Sequence, residues 1–260
     1  MKKSAAILII MGVALLVFAF SVPPYMKGQA RTLPTDLDLT VVKDSPQGFT
    51  QTNHLTTAPT EKIDEIAVHV ERILTDQSGN VVSENTDDVT LIGHSRFPIF
   101  QSTTTAENGR GEEILHEGLH YFFPANTLRN SYQYLDLTLG DAEPVDYLSR
   151  DGDVYIFYQH RRFEPLDDNT HYSVERTLEV DRHSGTILNK HELMTFHEPG
   201  GERQMEFSYT PESQEILQSH ADDITTTLKT AKTLDFFSKF LGLILLGVGV
   251  FQTGIFRTRR

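Results

Sequence analysis

The residues best spaced for chemistry are His116-Glu117-Gly118-Leu119-His120, which match the H-E-x-x-H pattern. On a helix, His116 and His120 would share one face and ligate zinc, leaving Glu117 as general base toward a metal-bound water. That chemistry needs a helix. Gly118 lies in the middle of the motif, Pro124 follows closely, and Tyr121-Phe122-Phe123 favours a strand, so the zinc hydrolase is kept only as a weak alternative. The expectation is a non-enzyme with no cofactor and no metal.

The rest of the chain adds little chemistry of this kind. Its remaining histidines are scattered, among them His54, His69, His94, His160, His183, His191 and His197. The acidic pairs Asp87-Asp88, Glu112-Glu113, Asp167-Asp168 and Asp222-Asp223 lack the regular ligand alternation of a calcium loop and read as solvated surface. There is no cysteine, which excludes disulfides, thiolate metal sites and cysteine nucleophiles. No P-loop, dinucleotide fingerprint or nucleophile elbow is present. The formal net charge is −13, and five basic residues (Lys2, Lys3, Arg257, Arg259, Arg260) stand at the two ends, so the middle is more acidic still. Such a body repels phosphate backbones, which argues against nucleic acid as a partner.

The elements that carry these residues begin with two apolar runs. Ser4 to Val22 and Phe240 to Phe256 contain no charged residue. The first suits the roughly 20 residues of a bilayer span. Ala19-Phe20-Ser21 offers a cleavage site, but the run exceeds a signal-peptide core, so an uncleaved anchor is preferred. The basic flanks place both termini in the cytoplasm and the main domain on the extracytoplasmic, cell-wall side of the plasma membrane. Ala5, Gly12 and Ala19 recur every seven residues, as do Gly242 and Gly249, and such stripes predict antiparallel packing of the two helices. The frequency of Gly and Ala in membrane helices accounts for the stripes equally well.

Between the runs the hydrophobic period is two. Leu37, Leu39 and Val41 alternate with polar residues, as do Ile66, Val68 and Val70; Tyr172, Val174, Leu178 and Val180 continue the pattern with only Arg176 breaking the apolar face; Met205, Phe207 and Tyr209 close it. Turn signals at Ser78-Gly79-Asn80, Asp151-Gly152-Asp153 and Ser184-Gly185 join these runs into hairpins. The fold class is mainly β, an antiparallel, strongly curved sheet or partly closed barrel or sandwich. Beyond Tyr209, Thr210 can cap and Pro211 can open a helix, which continues without Gly or Pro into the second apolar run. The domains expected are an anchor over 1–23, a β-domain over 24–210, a juxtamembrane helix over 211–239, and a membrane helix with basic tail over 240–260.

Val154-Tyr155-Ile156-Phe157-Tyr158 is apolar on both faces, so the strand is buried twice or has one face on a cavity. Tyr121, Phe123, Tyr134, Tyr155 and Phe157 are the candidate lining for an acyl chain or other amphipathic ligand. An ordinary β-domain core is the competing reading.

These residues carry a resemblance. Arg31-Thr32-Leu33-Pro34 leading into Leu37 to Val42, Gln51 to Thr57, Gly118 to Pro124 with Ser131 to Asp136, Glu143 to Tyr147, Val154 to Phe157, and Val180-Asp181-Arg182 with Ser184-Gly185 are similar to the porin PorA family of actinobacterial envelope proteins. The likeness covers most of the chain, both terminal spans included. The stretch around Thr86 to Gly111 departs from it. The resemblance implies an envelope-biogenesis role, including handling of mycolic-acid glycolipids or lipoglycans, beside a membrane transporter or assembly complex. The family's name implies a pore, whereas a barrel porin needs many girdled strands and does not need two apolar helices. The leading expectation is therefore a two-span protein that binds or presents an amphipathic envelope glycolipid. A structural or assembly partner without a cavity is the alternative.

Overall fold

The computed structural model describes residues 3–99, 103–107 and 113–253. Lys2, Glu112 and the tail bearing Arg257, Arg259 and Arg260 lie outside the described residues. The chain divides into two compact units, Thr32–Asp222 and the paired terminal segments Met1–Arg31 and Asp223–Arg260.

Helix α1 spans Lys3–Arg31. It runs through Pro23 and Pro24 and extends well past residue 23, where the anchor was expected to end. A proline removes a hydrogen bond, but its fixed φ is itself helical, so the pair does not force a stop. Helix α2 spans Pro211–Thr253 without a break, and both helices are long and apolar enough to cross a membrane.

In the terminal unit the small residues form the seam between the helices. Ala5, Gly12 and Ala19 are buried, while Ile7, Ile10, Phe20, Phe237, Phe240 and Leu243 are exposed. A Cβ on Gly12 would lie 2.9 Å from the Gly242 carbonyl oxygen, and one on Gly249 would lie 2.7 Å from Ile9 Cγ1. Ser4 Oγ lies 3.4 Å from Gln252 Oε1, and Lys27 Nζ is 3.7 Å from Asp235. Residues early in α1 thus meet residues late in α2, which makes the pair antiparallel. Close backbone approach is what removing side chains from the seam permits.

The other unit is built on one open antiparallel sheet of ten strands. Its strands are β1 (Asp38–Asp44), β2 (Thr50–Pro59), β3 (Glu65–Thr75), β4 (Val81–Ile92), β7 (Tyr132–Asp136), β8 (Asp141–Asp151), β9 (Val154–Pro165), β10 (His171–Asp181), β11 (Ile187–Glu198) and β12 (Gly201–Tyr209). The order is β4-β3-β2-β1-β12-β11-β10-β9-β8-β7, so every neighbour is a sequential hairpin partner except β1 and β12. Two short strands, β5 (Thr103–Glu107) and β6 (Glu113–Leu115), pair separately.

Strand β8 changes partner midway. Asp141 to Val145 pair with β7, whereas Asp146 to Asp151 pair with β9, with a register irregularity between Tyr147 and Ser149. Such irregularities bend a strand. The Gln159 side chain of β9 donates to the Glu143 carbonyl at 3.0 Å, and the Tyr134 ring of β7 lies 5.1 Å from the Arg176 guanidinium of β10. Strand β7 is therefore folded over the inner face of β9 and β10.

The segment before β7 crosses between two cores. Phe122 packs with Leu55, Ile66, Val68 and Val89, while Leu119 and Phe123 pack with Phe157, Leu178 and Val180. Gly185 holds one end of the crossing: its φ is +75°, its carbonyl accepts from Phe123 N at 2.9 Å, and a Cβ there would lie 2.1 Å from the Phe123 oxygen. Only glycine fits that approach. Helix α2 starts on β1: Thr210 Oγ1 caps Ser213 N at 3.2 Å, and Ser213 Oγ accepts from Val42 N at 2.8 Å. Its Leu217 and Ala221 pack on Leu188.

Candidate functional site

Strand parity places one set of side chains on the inner face, and most of that set is apolar. At the middle of the sheet it is charged. Arg176 of β10 stands opposite Gln159 of β9 and Glu192 of β11, and Glu192 stands opposite Phe207 of β12. Two residues earlier on β11 stands Lys190; on β1, Lys43 stands between Tyr209 and Gln51. These polar side chains form a band between the two apolar cores.

The band is tightly bonded. Glu192 Oε1 accepts from Arg176 Nε at 2.6 Å and lies 3.0 Å from Lys190 Nζ, while Oε2 accepts from Lys43 Nζ at 3.1 Å. Arg176 also donates to Asp136 Oδ2 at 3.0 Å and to Gln159 Oε1. All five ionic side chains are at least nine-tenths buried. Burial alone would neutralise Glu192, but Lys190, Lys43 and Arg176 overcome it and hold the carboxyl well below its ordinary range. Burial and then the neighbouring Lys190 push Lys43 down to about 8, against the opposing pull of Glu192. Lys190 is lowered too, by burial first.

A cavity of about 300 Å³ opens against this band. That is the lower end of the size range of small-molecule sites. Half-buried Leu39, Val41, Met194, Phe196 and Met205 supply its apolar wall, and Lys43, Arg72, Arg176, Lys190, Asp136 and Glu192 its charged wall. His120 and Tyr121 border it from the crossing segment. The His120 Nδ1–H donates to the Leu135 carbonyl at 2.9 Å, and burial followed by the charges of Lys190 and Arg72 keeps the ring well below its usual pKa, hence neutral.

The structure separates the five candidate lining aromatics. Tyr121 reaches the cavity; Phe123, Tyr134, Tyr155 and Phe157 fill the second core. The Phe123 and Phe157 rings pack at a tilt of 31° with centroids 4.8 Å apart, and neither is exposed. Strand β9 is not buried twice: Tyr155, Phe157, Gln159 and Arg161 alternate inward while Val154, Ile156 and Tyr158 are half-buried on the other side. Apolar content there overstated the burial of the outer face, and the inward continuation of the strand is polar.

The histidine pair is not on a helix. Residues 116–118 follow β6 as irregular chain, and Leu119 makes a parallel bridge to Tyr134. His116 is buried with Nε2 2.9 Å from Asp87 Oδ1, His120 turns to Leu135, and Glu117 is exposed. The three side chains have separate partners, and no group of three potential ligands occurs among the described residues. Asp87 also accepts from Tyr121 Oη; burial raises its carboxyl, but His116, Tyr121 and Arg72 outweigh that and leave it below the ordinary range.

Sequence reasoning missed Lys43, Arg72, Asp136, Lys190 and Glu192. The signal for two of them was parity: Lys43 continues Leu37, Leu39 and Val41, and Arg72 continues Ile66, Val68 and Val70, both on the inward register. Arg176 was visible as the one interruption of its apolar face.

A protein-family model described as Porin PorA matches residues 4–251. A protein named Porin PorA from Corynebacterium resistens is 27% identical, over 61% of this chain and 52% of its own length, so the chain spans about half the length of that curated relative. With a match running from the first helix to the second, this chain belongs to the porin PorA family.

Proposed function

We propose that this protein is a two-span component of the cell envelope whose sheet unit, on the extracytoplasmic side, binds an amphipathic lipid and presents it for transport or envelope assembly. One observation carries the reading: a cavity of about 300 Å³ walled on one side by apolar side chains and on the other by a buried ionic band. An amphiphile matches both walls, whereas a protein-docking surface needs no such space. Two helices with exposed apolar surfaces and a small-residue seam support insertion of the chain in a bilayer. The test is extraction of the full chain in a mild non-ionic detergent followed by lipid mass spectrometry. Near-stoichiometric retained lipid is expected. No retained lipid, together with no thermal stabilisation by added glycolipid, would overturn it.

Pore formation is the second reading, favoured by the family's description. The described sheet is open, with β4 and β7 as its end strands. A conducting path through such a chain would have to come from assembly of several copies. Step-like conductance from purified protein in planar bilayers, abolished by disrupting the helix seam, would support the pore over the lipid carrier.

A further inference from the structure

We infer that the cavity selects an anionic, phosphate-type headgroup, held by Lys190, Lys43 and Arg72. This deepens the lipid reading and rests on it for the acyl part of the ligand.

The argument is one of charge and hydrogen-bond supply. Around the cavity, four cations (Lys43, Arg72, Arg176, Lys190) meet two carboxylates, Asp136 and Glu192. Arg176 is spoken for, bonded to Glu192, Asp136 and Gln159. Asp136 is spoken for as well: besides Arg176 it accepts from the backbone N–H groups of Thr138 and Leu139. That leaves Glu192 as the single carboxylate for both lysines: each ammonium carries three donors and meets one Glu192 oxygen, with only the faces of Tyr209 and Tyr134 as further neighbours among the described residues, at 5.9 and 5.4 Å. Arg72 is worse supplied. Its Nε and Nη2 are buried without a hydrogen-bond partner, and the nearest carboxylate oxygen, Asp87 Oδ2, is 3.6 Å away and already taken by Tyr121. Even with Asp87 counted, the cations outnumber the carboxylates.

Unpaired positive charge and orphaned donors beside a void are costly unless something fills the void and accepts from them. Water alone satisfies the donors but leaves the charge excess. A phosphate oxyanion does both, since it offers several acceptors to a cluster of Lys and Arg donors. The neighbouring Met194, Phe196 and Met205 give the attached chain an apolar wall.

The test uses the full chain in dodecyl maltoside and three probes: oleoyl lysophosphatidate, monoolein, which has the same chain without phosphate, and glycerol 3-phosphate, the headgroup without the chain. Binding is read by native mass spectrometry. Lysophosphatidate is expected to bind at least about tenfold more tightly than monoolein, the size of one charge-assisted hydrogen bond. Lys190→Gln and Lys43→Gln should each remove most of that preference while changing monoolein binding little, and Lys190→Arg should restore it. If a lysine variant loses its cooperative melt, Arg72→Gln provides the same reading. Equal binding of lysophosphatidate and monoolein by the native chain overturns the anion selection and leaves the lipid reading standing. Glycerol 3-phosphate binding as tightly as lysophosphatidate, and lost in Lys190→Gln, keeps the anion site and removes the lipid. Binding of none of the three overturns both.

Discussion

Arg176 and Glu192 face each other in register across β10 and β11, with Nε 2.6 Å from Oε1, and both are buried. That contact is the centre of the sheet unit, because the same carboxylate also meets Lys43 and Lys190. Three cations from three strands thus converge on one anion, and among the described residues only Arg176 has a second carboxylate, Asp136, at 3.0 Å.

Glu192→Gln is accordingly the most damaging conservative change. It keeps the shape and leaves Arg176, Lys43 and Lys190, all buried, without their common counter-charge. Removing one partner of a buried ionic pair costs about 3–5 kcal/mol. The expected outcome is a large drop in melting temperature of the full chain in detergent, followed by circular dichroism. Glu192→Asp should fall between the two, since it keeps the charge and shortens the reach.

The lysines give the fold an alkaline signature. Lys43 titrates at about 8 in the folded chain against 10.5 unfolded. Between these values the unfolded state binds more protons, so stability rises with pH through that window and is lost as pH falls toward 8. The contribution is up to roughly 3 kcal/mol by the linkage relation. Above about 10 the trend reverses, because burial raises Tyr134 and Tyr209 and only the unfolded state loses those protons. Melting temperatures measured from pH 7.5 to 10.5 should climb and then fall, and Lys43→Met should flatten the climb.

How much of this was readable beforehand depends on what a residue answers to. Val68 and Val70, or Tyr172 and Val174, answer to the pleat, so period two exposed their strands and their buried face; Gly79, Gly152 and Gly185 answer to positive φ, so the hairpins were readable as well. Gly12 and Gly249 answer to backbone approach between helices and could be read as spacing. The cavity answers to none of these local rules. It depends on β8 exchanging partners, which carries Asp136 over Arg176, and on β1 meeting β12 across most of the unit's sequence. Aromatic content suggested a lining from Phe123, Tyr134 and Phe157, but rings of that size fill space when they converge. Charged residues kept on an inward register were the better sign, because burying them costs too much to be incidental.

The helix seam can be read directly, since the native chain has no cysteine to interfere. Ser4→Cys combined with Gln252→Cys puts thiols on two residues whose side chains now meet at 3.4 Å; because Cys is two atoms shorter than the Gln it replaces, a short bis-maleimide in membranes should crosslink them within one chain. Adding Gly12→Leu puts a side chain where a Cβ already meets the Gly242 carbonyl at 2.9 Å and Leu246 Cγ at 2.8 Å. The backbone cannot yield there without parting the helices, so the crosslink yield should fall several-fold. An unchanged yield would mean that the two helices do not pack through this seam.

Metal dependence separates the two roles open to His116. If it were a zinc ligand with His120, a chelator would lower the melting temperature and the protein would carry metal by elemental analysis. The geometry assigns it instead to Asp87, which is wholly buried and relies on His116, Tyr121 and Arg72. His116→Ala takes away the closest nitrogen donor and leaves a buried carboxylate under-satisfied, a loss of roughly 1–3 kcal/mol. Chelation should therefore leave the melt of the native chain unchanged, while His116→Ala lowers it. The double variant His116→Ala, Asp87→Asn should recover part of the loss, because an uncharged amide tolerates the missing partner better than a carboxylate does; a metal ligand would show no such rescue.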